Sequence, residues 1–432
     1  MSILGIDIGT TSVSFAVLNE ESKILERAVT VANGSFIKTE EPWEKLQDAA
    51  LLEEKVIGKA RELLLEIPHI SSIGLTGQMH GILYVDQRGN CVSPLYTWQD
   101  GRGNQPDFGG RSLTACILEE YGEEVYTGYG WLTQLYNRRK NIVPDTAVSF
   151  CTIADYIGMK LTDRKSPLLH GSMAASLGFF DAGKKQFKRD ILEALGAGTD
   201  MAPEVTDKVS PLGTFCGVPV YTAIGDNQAS VLGAAGTAPG ASLINMGTGG
   251  QISVVTDRNI QVSGIETRPY LDGRYILVGA SLCGGRAYAI LENFFRQYME
   301  GAGLEACAQY GIMEKILEEA EISRPLKVRT TFQGTRIKPD MRGSIEGIGE
   351  DNFTPAALID GVLKGMAGEL YDMYREIAAR TGLETEVIYA SGNGIRKNKY
   401  LQKAFEQAFG KKVILAPYQE EAACGAAMSC RF

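Results

Sequence analysis

The stretch Asp7-Ile8-Gly9-Thr10-Thr11 joins two apolar runs rich in β-branched residues, and Asn245-Met246-Gly247-Thr248-Gly249-Gly250 does the same much later in the chain. Each pattern predicts a β-hairpin with a glycine–threonine tip. Glycine lets the backbone approach a ligand closely, so such a tip can offer N–H groups and hydroxyls to an anion. Two tips built alike predict two lobes that grip one polyphosphate.

Both turns differ from the common nucleotide-binding motifs. The chain has no G-x-x-x-x-G-K-[ST] sequence, and a strand follows each turn where a P-loop or a Rossmann fingerprint would begin a helix. One Gly-Thr hairpin alone is usually only a hairpin. The repetition favours a phosphate site, and Asp7 beside the first turn is a suitable carboxylate for hydrated Mg²⁺.

Length and composition exclude several classes of protein. A chain of 432 residues is too long for one ordinary core and suits two domains. A net charge of −9 argues against the basic surface that nucleic-acid binding needs. The eight cysteines have no metal-ligand spacing, and neither a signal peptide nor a membrane-length apolar run is present. We therefore expect a cytoplasmic protein without nucleic-acid or membrane partners.

The order of predicted elements also repeats. Strands and helices after the first hairpin extend to about residue 236, and a second hairpin-led β/α unit begins near Ala241. We place the boundary at Gly236-Thr237, which predicts domains at 1–236 and 237–432. Helical spacing predicts a helix over Trp43–Glu66, whereas the glycine-rich residues 98–135 predict irregular loops. A cleft between two such halves is a natural ligand site.

Two polar turns in the first half could bind a polyol. Thr76-Gly77-Gln78-Met79-His80-Gly81 combines an amide with an imidazole, which can bind hydroxyls, although a turn with one buried histidine is the commoner explanation. Thr97-Trp98-Gln99-Asp100-Gly101-Arg102 combines an indole with two charged groups, as sugar sites do. A surface Asp–Arg pair beside a core tryptophan explains that stretch equally well.

Two further junctions could serve a phosphoryl transfer. Gly225-Asp226-Asn227-Gln228 ends a predicted strand and opens a helix, so Asp226 is either a helix cap worth about 1 kcal/mol or a general base. A base that deprotonates a hydroxyl for attack on a γ-phosphate agrees with the two phosphate turns. Ser391-Gly392-Asn393-Gly394 could hold a nucleotide, but strand–glycine–helix junctions are common.

Together and in order, these segments resemble the FGGY carbohydrate kinases over essentially the whole chain. The resemblance implies an α/β, duplicated ribonuclease-H-like (actin/hexokinase-like ATPase) fold, two lobes with a central cleft. It also implies ATP- and Mg²⁺-dependent phosphorylation of a ketose, with sedoheptulose first and xylulose or another ketose second. Further matching segments are Gly284-Gly285 and Glu421-Ala422-Ala423-Cys424-Gly425-Ala426-Ala427.

The resemblance implies a role for each candidate residue. Asp226 would be the base, and Asp7 would help to hold Mg²⁺ through water. The residues that would face or border ATP are Thr10, Thr11, Ser12, Gly247, Thr248, Gly249, Gly285, Gly392, Asn393 and Gly394. The residues that would contact the sugar are Gln78, Met79, His80, Trp98, Asp100, Arg102 and Asn227. Arg286 departs from the smaller residue expected after Gly285, which leaves the adenine side less defined.

Two other classes of protein compete with a sugar kinase. An actin-like or chaperone-like ATPase would use the same lobes, but it does not explain the turns at Gln78–His80 and Trp98–Arg102. A sugar sensor without catalysis would not need both Asp7 and Asp226. A small-molecule ketose is thus the expected partner, and a homodimer is a possible assembly.

Overall fold

The computed structural model describes residues 1–305, 307–335, 338 and 340–432. The chain forms two compact units. Unit 1 comprises residues 1–233, 268–274 and 420–432, and unit 2 comprises residues 234–267 and 275–419. No helix of the described residues is long and apolar enough to cross a membrane.

Elements up to residue 235 belong almost entirely to unit 1. The strands are β1 (Ser2–Ile8), β2 (Ser12–Asn19), β3 (Leu25–Ala32), β4 (Leu46–Gln47), β5 (Ile70–Gly77), β6 (Leu83–Asp86), β7 (Leu95–Tyr96), β8 (Ala147–Cys151), β9 (Leu168–His170), β10 (Phe180–Asp181), β11 (Gln186–Phe187), β12 (Glu204–Thr206), β13 (Pro211–Phe215), β14 (Val218–Tyr221) and β15 (Ile224–Gly225). The helices are α1 (Ala49–Glu66), α2 (Leu113–Tyr121), α3 (Gly130–Arg139), α4 (Ile153–Thr162), α5 (Gly171–Ser176), α6 (Arg189–Ala194) and α7 (Asp226–Ala235). Short 3₁₀ helices cover Arg102–Asn104 and Thr199–Met201.

Elements from residue 242 onward belong mainly to unit 2. The strands are β16 (Ser242–Met246), β17 (Gly250–Thr256), β18 (Glu266–Pro269), β19 (Tyr275–Ser281), β20 (Lys327–Arg329), β21 (Ser344–Glu346), β22 (Val387–Ser391) and β23 (Lys412–Leu415). The helices are α8 (Gly284–Gly301), α9 (Tyr310–Glu319), α10 (Pro355–Thr381), α11 (Asn393–Arg396), α12 (Lys399–Phe409) and α13 (Glu421–Ser429).

The two main sheets share a plan. In unit 1 the path is β13-β14-β5-β1-β2-β3, with β15 also paired to β5. In unit 2 the path is β18-β19-β17-β16-β22-β23. The first strand of each hairpin, β1 or β16, pairs antiparallel with the next strand and parallel with a much later one. The predicted repetition of a hairpin-led α/β unit is therefore confirmed.

Both predicted hairpins form, and a cluster of buried apolar residues supports each. Ile8 pairs with Val13 across the first tip, and Met246 pairs with Gly250 across the second. The side chains of Leu4, Ile6 and Phe15 are at most 1% exposed. Buried β-branched and aromatic residues stabilise these strands through packing, which leaves the polar tips outside the core.

The last helix, α13, packs on the sheet of unit 1. A Cβ at Gly5 would lie 1.8 Å from the carbonyl oxygen of Ala423, and a Cβ at Gly74 would lie 1.9 Å from that of Ala426. A Cβ on Gly425 itself would lie 1.8 Å from the carbonyl oxygen of Ala229 in α7. Only glycine fits at such close backbone contacts. The small residues of this segment therefore bring the C-terminal end of the chain against β1, β5 and α7.

Candidate active site

Three parallel strands of unit 1 end side by side. Ile8 of β1 pairs with Gly77 of β5, which in turn pairs with Gly225 of β15. The carboxyl ends of parallel strands share one edge of a sheet, about 4.8 Å apart. Asp7, Gln78 and Asp226 therefore lie along this edge, although they are far apart in sequence. Ligands of open α/β sheets commonly bind at such an edge.

Asp7 is the metal ligand that the resemblance implies. Its Oδ1 atom is buried and has no hydrogen-bond partner among the residues that the structure describes. Burial first, and then the carboxylates of Asp226, Glu420 and Glu421, raise the pKa of Asp7 from 3.8 to about 7. A cation at this position would supply the missing partner and relieve the repulsion between the carboxylates.

Asp226 begins α7, directly after β15. The amide N–H of Asn227 donates to its Oδ1 at 2.6 Å. Burial raises the pKa of Asp226, whereas the nearby Arg268 guanidinium and the Asn227 amide oppose that rise. Arg268 Nη1 also donates to Asn227 Oδ1 at 3.3 Å. The arginine therefore favours the ionised carboxylate, which is the form a general base needs.

The first hairpin tip forms hydrogen bonds with two residues that are predicted to contact the sugar. Trp98 Nε1 donates to Thr10 Oγ1 at 3.0 Å, and Thr10 Oγ1 donates to Gln78 Oε1 at 3.4 Å. Gln47 completes the cluster, because it accepts from Gln78 Nε2 at 2.8 Å and donates to the carbonyl of Thr10 at 2.8 Å. The indole of Trp98 is 45% exposed, so it has apolar surface on which a sugar could stack.

His80 is held in a fixed orientation. Its φ of 75° is left-handed, which is unusual for a residue other than glycine. The carbonyl of Ser176 lies 2.7 Å from Nδ1 and can only accept, so Nδ1 carries a proton. The ring stacks on Tyr129 with 4.7 Å between centroids and an angle of 4°. In the neutral ring this tautomer makes Nε2 a hydrogen-bond acceptor.

Met79 and the Asp100–Arg102 pair lie deeper. Met79 is 4% exposed, and its sulfur would lie 2.8 Å from a Cβ on Gly225. Arg102 Nε donates to Asp100 Oδ1 at 2.6 Å, and both side chains are at most 2% exposed. Arg102 also donates to Asn137 and lies over Tyr96, 4.2 Å from the ring centroid. Other protein groups thus satisfy the hydrogen bonds of this pair. The pair is buried rather than at the surface, and Trp98 is exposed rather than part of the core. Its substrate role stays a prediction.

In unit 2 the second tip contacts the starts of two helices. Gly285 N donates to the carbonyl of Gly247 at 3.0 Å, and Arg286 N donates to that of Thr248 at 3.1 Å. Gly392, with a φ of 89°, leaves room for the carbonyl of Met246, 2.5 Å from where its Cβ would lie. The predicted nucleotide residues Gly247, Thr248, Gly249, Gly285, Gly392, Asn393 and Gly394 therefore gather around β16 and β22. Gly247 and Thr248 are exposed, as an anion site requires.

Two family models match the chain on either side of the predicted boundary. The model described as "FGGY family of carbohydrate kinases, N-terminal domain" matches residues 2–233, and the corresponding C-terminal domain model matches residues 242–431. The chain belongs to the FGGY family of carbohydrate kinases. It is therefore an enzyme that transfers a phosphoryl group to a sugar hydroxyl, and the prediction of a sugar kinase is confirmed.

Individual relatives span nearly the whole chain. Mouse sedoheptulokinase is 27% identical, with 98% of this chain and 96% of the relative covered. Xylulose kinase of Staphylococcus xylosus is 22% identical, with 99% and 89% covered. The solved structure of xylulose kinase from Rhodospirillum rubrum superimposes with a TM-score of 0.85 at 19% identity, over 100% of this chain and 89% of that one. This likeness confirms the predicted duplicated, actin/hexokinase-like α/β fold.

Several residues near the site of this FGGY kinase were absent from our predicted site residues. Gln47, Arg268, Glu420 and Glu421 approach Thr10, Asp226 and Asp7 only through the fold. Arg268 lies in a strand and belongs to none of the sequence motifs described above. Glu421 is the first residue of the matching segment Glu421–Ala427 and Glu420 precedes it, so that segment was the signal available.

Proposed function

We propose that this FGGY kinase uses ATP and Mg²⁺ to phosphorylate a ketose, with sedoheptulose converted to sedoheptulose 7-phosphate. We choose this sugar because the chain is similar to mouse sedoheptulokinase over 98% of its length. Xylulose, or another ketose, is the second candidate because a xylulose kinase is also similar at full length.

Asp226 is our candidate for the general base. It accepts the proton of the attacking hydroxyl as that oxygen bonds to the γ-phosphorus, and ADP leaves with the electrons of the broken P–O bond. Support comes from its position at the end of β15 and from the nearby Arg268 charge, which opposes the rise in the Asp226 pKa caused by burial.

Asp7 is our candidate for the Mg²⁺ site, through a water molecule. The unpartnered Oδ1 and the surrounding carboxylates fit a cation there. When bound, Mg²⁺ neutralises phosphate charge and favours in-line transfer. Thr10, Thr11 and Ser12 in unit 1 would donate to phosphate oxygens, as would the N–H groups of the second tip in unit 2.

The sugar would be held by residues of unit 1. Trp98 supplies an exposed indole face, and His80 supplies an acceptor at Nε2 fixed by Ser176. Gln78, Met79, Asn227, Asp100 and Arg102 remain proposed contacts or supports of that pocket. We also retain 1–236 and 237–432 as the proposed domains. Within the second of these, α13 packs on the sheet of unit 1.

A coupled ADP-release screen across ketoses, polyols and aldoses tests the proposal. We expect the highest kcat/KM for sedoheptulose, with ³¹P–¹H coupling in the product assigning the phosphate to C7. A higher value for xylulose would replace sedoheptulose with the second candidate. ATP hydrolysis that is independent of every sugar would instead favour the actin-like or chaperone-like ATPase.

A further inference from the structure

The Ile224–Gly225 peptide lies one peptide before the bond that joins Gly225 to Asp226, and buried hydroxyls fix both its carbonyl and its N–H. Thr76 Oγ1 in β5 donates to the carbonyl of Ile224 at 2.7 Å. The N–H of Gly225 donates to Ser172 Oγ at 3.0 Å. Thr76 and Ser172 are both 0% exposed, so water cannot replace either bond without opening the core.

His170 determines the direction in which the Ser172 hydroxyl points. The amide of Ser172 donates to His170 Nδ1 at 3.2 Å, so Nδ1 carries no proton. Ser172 Oγ lies 2.8 Å from the same Nδ1 and must therefore donate its proton there. Its lone pairs then remain available to the N–H of Gly225. The histidine is 1% exposed, and burial lowers its pKa to about 4, which keeps this acceptor neutral near pH 7.

The anchor of this arrangement is outside the substrate residues. His170 is the last residue of β9, which pairs in parallel with β12, and it caps α5. Asp207, just after β12, lies near the imidazole and partly opposes the lowering of the His170 pKa by burial. The other end of α5 is Ser176, which holds His80. One short helix thus supports both the proposed base and a proposed sugar contact.

Close packing at Gly225 leaves little room for the Ile224–Gly225 peptide to shift. A Cβ on Gly225 would lie 2.3 Å from Gln228 Oε1 and 2.8 Å from Met79 Sδ. The peptide therefore has little freedom beyond a rotation that would break its bond to Ser172. Such a rotation would turn the Asp226 carboxylate away from its present direction.

We propose that Ser172 and His170 are positioning residues, which hold the Ile224–Gly225 peptide, and with it the start of α7, so that the Asp226 carboxylate faces the attacking hydroxyl. This inference rests on the proposed role of Asp226 as the base. Displacements near 1 Å can cost about 10²-fold in rate even when binding is intact. The two residues should therefore affect kcat more than sugar binding.

The test compares Ser172→Ala and His170→Leu with the rescue variants Ser172→Thr, which keeps the hydroxyl, and His170→Asn, which keeps an acceptor near Nδ1. Ser429→Ala is the matched control, since Ser429 is equally buried and its hydroxyl donates to Ala426 at 2.7 Å. We expect kcat to fall at least about 10-fold in the first pair, with the Kd of the sugar changed less than about 3-fold. The rescue variants and the control should stay closer to the parent enzyme.

Hydrogen exchange of the Gly225 amide separates this inference from the proposed function. We expect faster exchange in Ser172→Ala and His170→Leu than in Ser429→Ala. Unchanged exchange, or faster exchange with kcat within 2-fold of the parent, would overturn the positioning role while leaving the kinase intact. If the parent enzyme transfers phosphate but Asp226→Asn is fully active, Asp226 is not the base and the positioning role fails with it.

Discussion

Asp226 accepts a hydrogen bond from the amide of the next residue, Asn227, at 2.6 Å, so its carboxylate could act at the start of α7 as well as in catalysis. Asp226→Asn keeps an oxygen for that bond but cannot accept a proton from a hydroxyl. We expect near-normal thermal stability, retained sugar and ATP binding, and a fall in kcat of at least about 10². Steady-state kinetics and calorimetric binding measure these separately.

The outcome for Asp226→Asn distinguishes the two roles. A kcat within a few-fold of the parent enzyme, with normal binding, would make Asp226 only a helix-capping residue. Asp226→Ala provides the comparison, since it removes the oxygen as well. If capping alone matters, Asp226→Ala should lose stability by about 1 kcal/mol while Asp226→Asn should not.

Asp155 lies outside the candidate site and should make the free energy of unfolding depend on pH. It is 2% exposed in the first turn of α4, its Oδ2 accepts from Thr152 at 2.6 Å, and burial raises its pKa from 3.8 to about 7. Because the folded-state pKa is the higher one, stability from this group is complete below pH 3.8 and is lost as the pH rises through about 7. Asp155→Asn should therefore raise the free energy of unfolding at pH 8 by about 1–3 kcal/mol.

Urea unfolding at several pH values measures this effect. The gain from Asp155→Asn should shrink towards pH 4 and vanish well below pH 3.8, where the parent carboxyl is protonated in both states. Asp190→Asn, in the first turn of α6 but exposed, is the control and should change stability little at either pH. A gain that is equal at pH 4 and pH 8 would exclude the buried charge as its cause.

At the scale of elements, the spacing of apolar residues predicted those elements whose own residues show a regular pattern or a cap. The hairpins and α7 lie where the sequence indicates them, because alternation, caps and apolar spacing are local properties. The helix predicted over Trp43–Glu66 begins only at Ala49, since the Asp48 side chain accepts from the amides of Ala50 and Leu51 and caps it there. Leu46–Gln47 instead forms β4.

Tertiary structure decided the elements and site residues that we missed. Residues 98–135, expected to be irregular, contain α2 and the first part of α3. In α3 every residue from Gly130 to Asn137 is buried, so no amphipathic stripe marks it. Likewise, Gln47 and Arg268 join the site through side-chain contacts that form only in the folded chain, which a single sequence does not display.

Because α13 packs so closely on β5, one added methyl group in β5 should strongly lower the free energy of unfolding. A Cβ at Gly74 would lie 1.9 Å from the carbonyl oxygen of Ala426 and 3.0 Å from the sulfur of Cys430. Since the first of these atoms is backbone, the helix must shift. Gly74→Ala should lower the free energy of unfolding by about 2 kcal/mol or more.

Gly58→Ala is the matched control, because Gly58 lies in the middle of α1 and a Cβ there would meet nothing within 4 Å. Alanine favours helix over glycine by about 1 kcal/mol, so this variant should gain stability. Chemical denaturation of both variants gives the comparison. Equal stability of Gly74→Ala and the parent would mean that α13 does not pack on β5 as described.

At the scale of the whole molecule, unit 1 is completed by the C-terminal end of the chain. Residues 420–432 belong to the same compact unit as residues 1–233, and Glu420 and Glu421 face Asp7. The sheet of unit 1 therefore exposes the surface around Gly5 and Gly74 until those last residues are available. Exposed apolar surface of this kind makes incomplete chains prone to aggregation.

A chain that ends at Gln419 should consequently lose the fold of unit 1 more than that of unit 2. We expect rapid hydrogen exchange and proteolysis in β1, β2 and β5, with β16, β17 and β22 still protected. A chain ending at Cys430 is the control, because it lacks only the exposed residues Arg431 and Phe432 and keeps α13. Equal protection of β1 and β5 in both truncated chains would show that unit 1 folds without α13. If the shorter chain instead loses protection in both units alike, the two units unfold as one, and α13 stabilises the molecule rather than unit 1 alone.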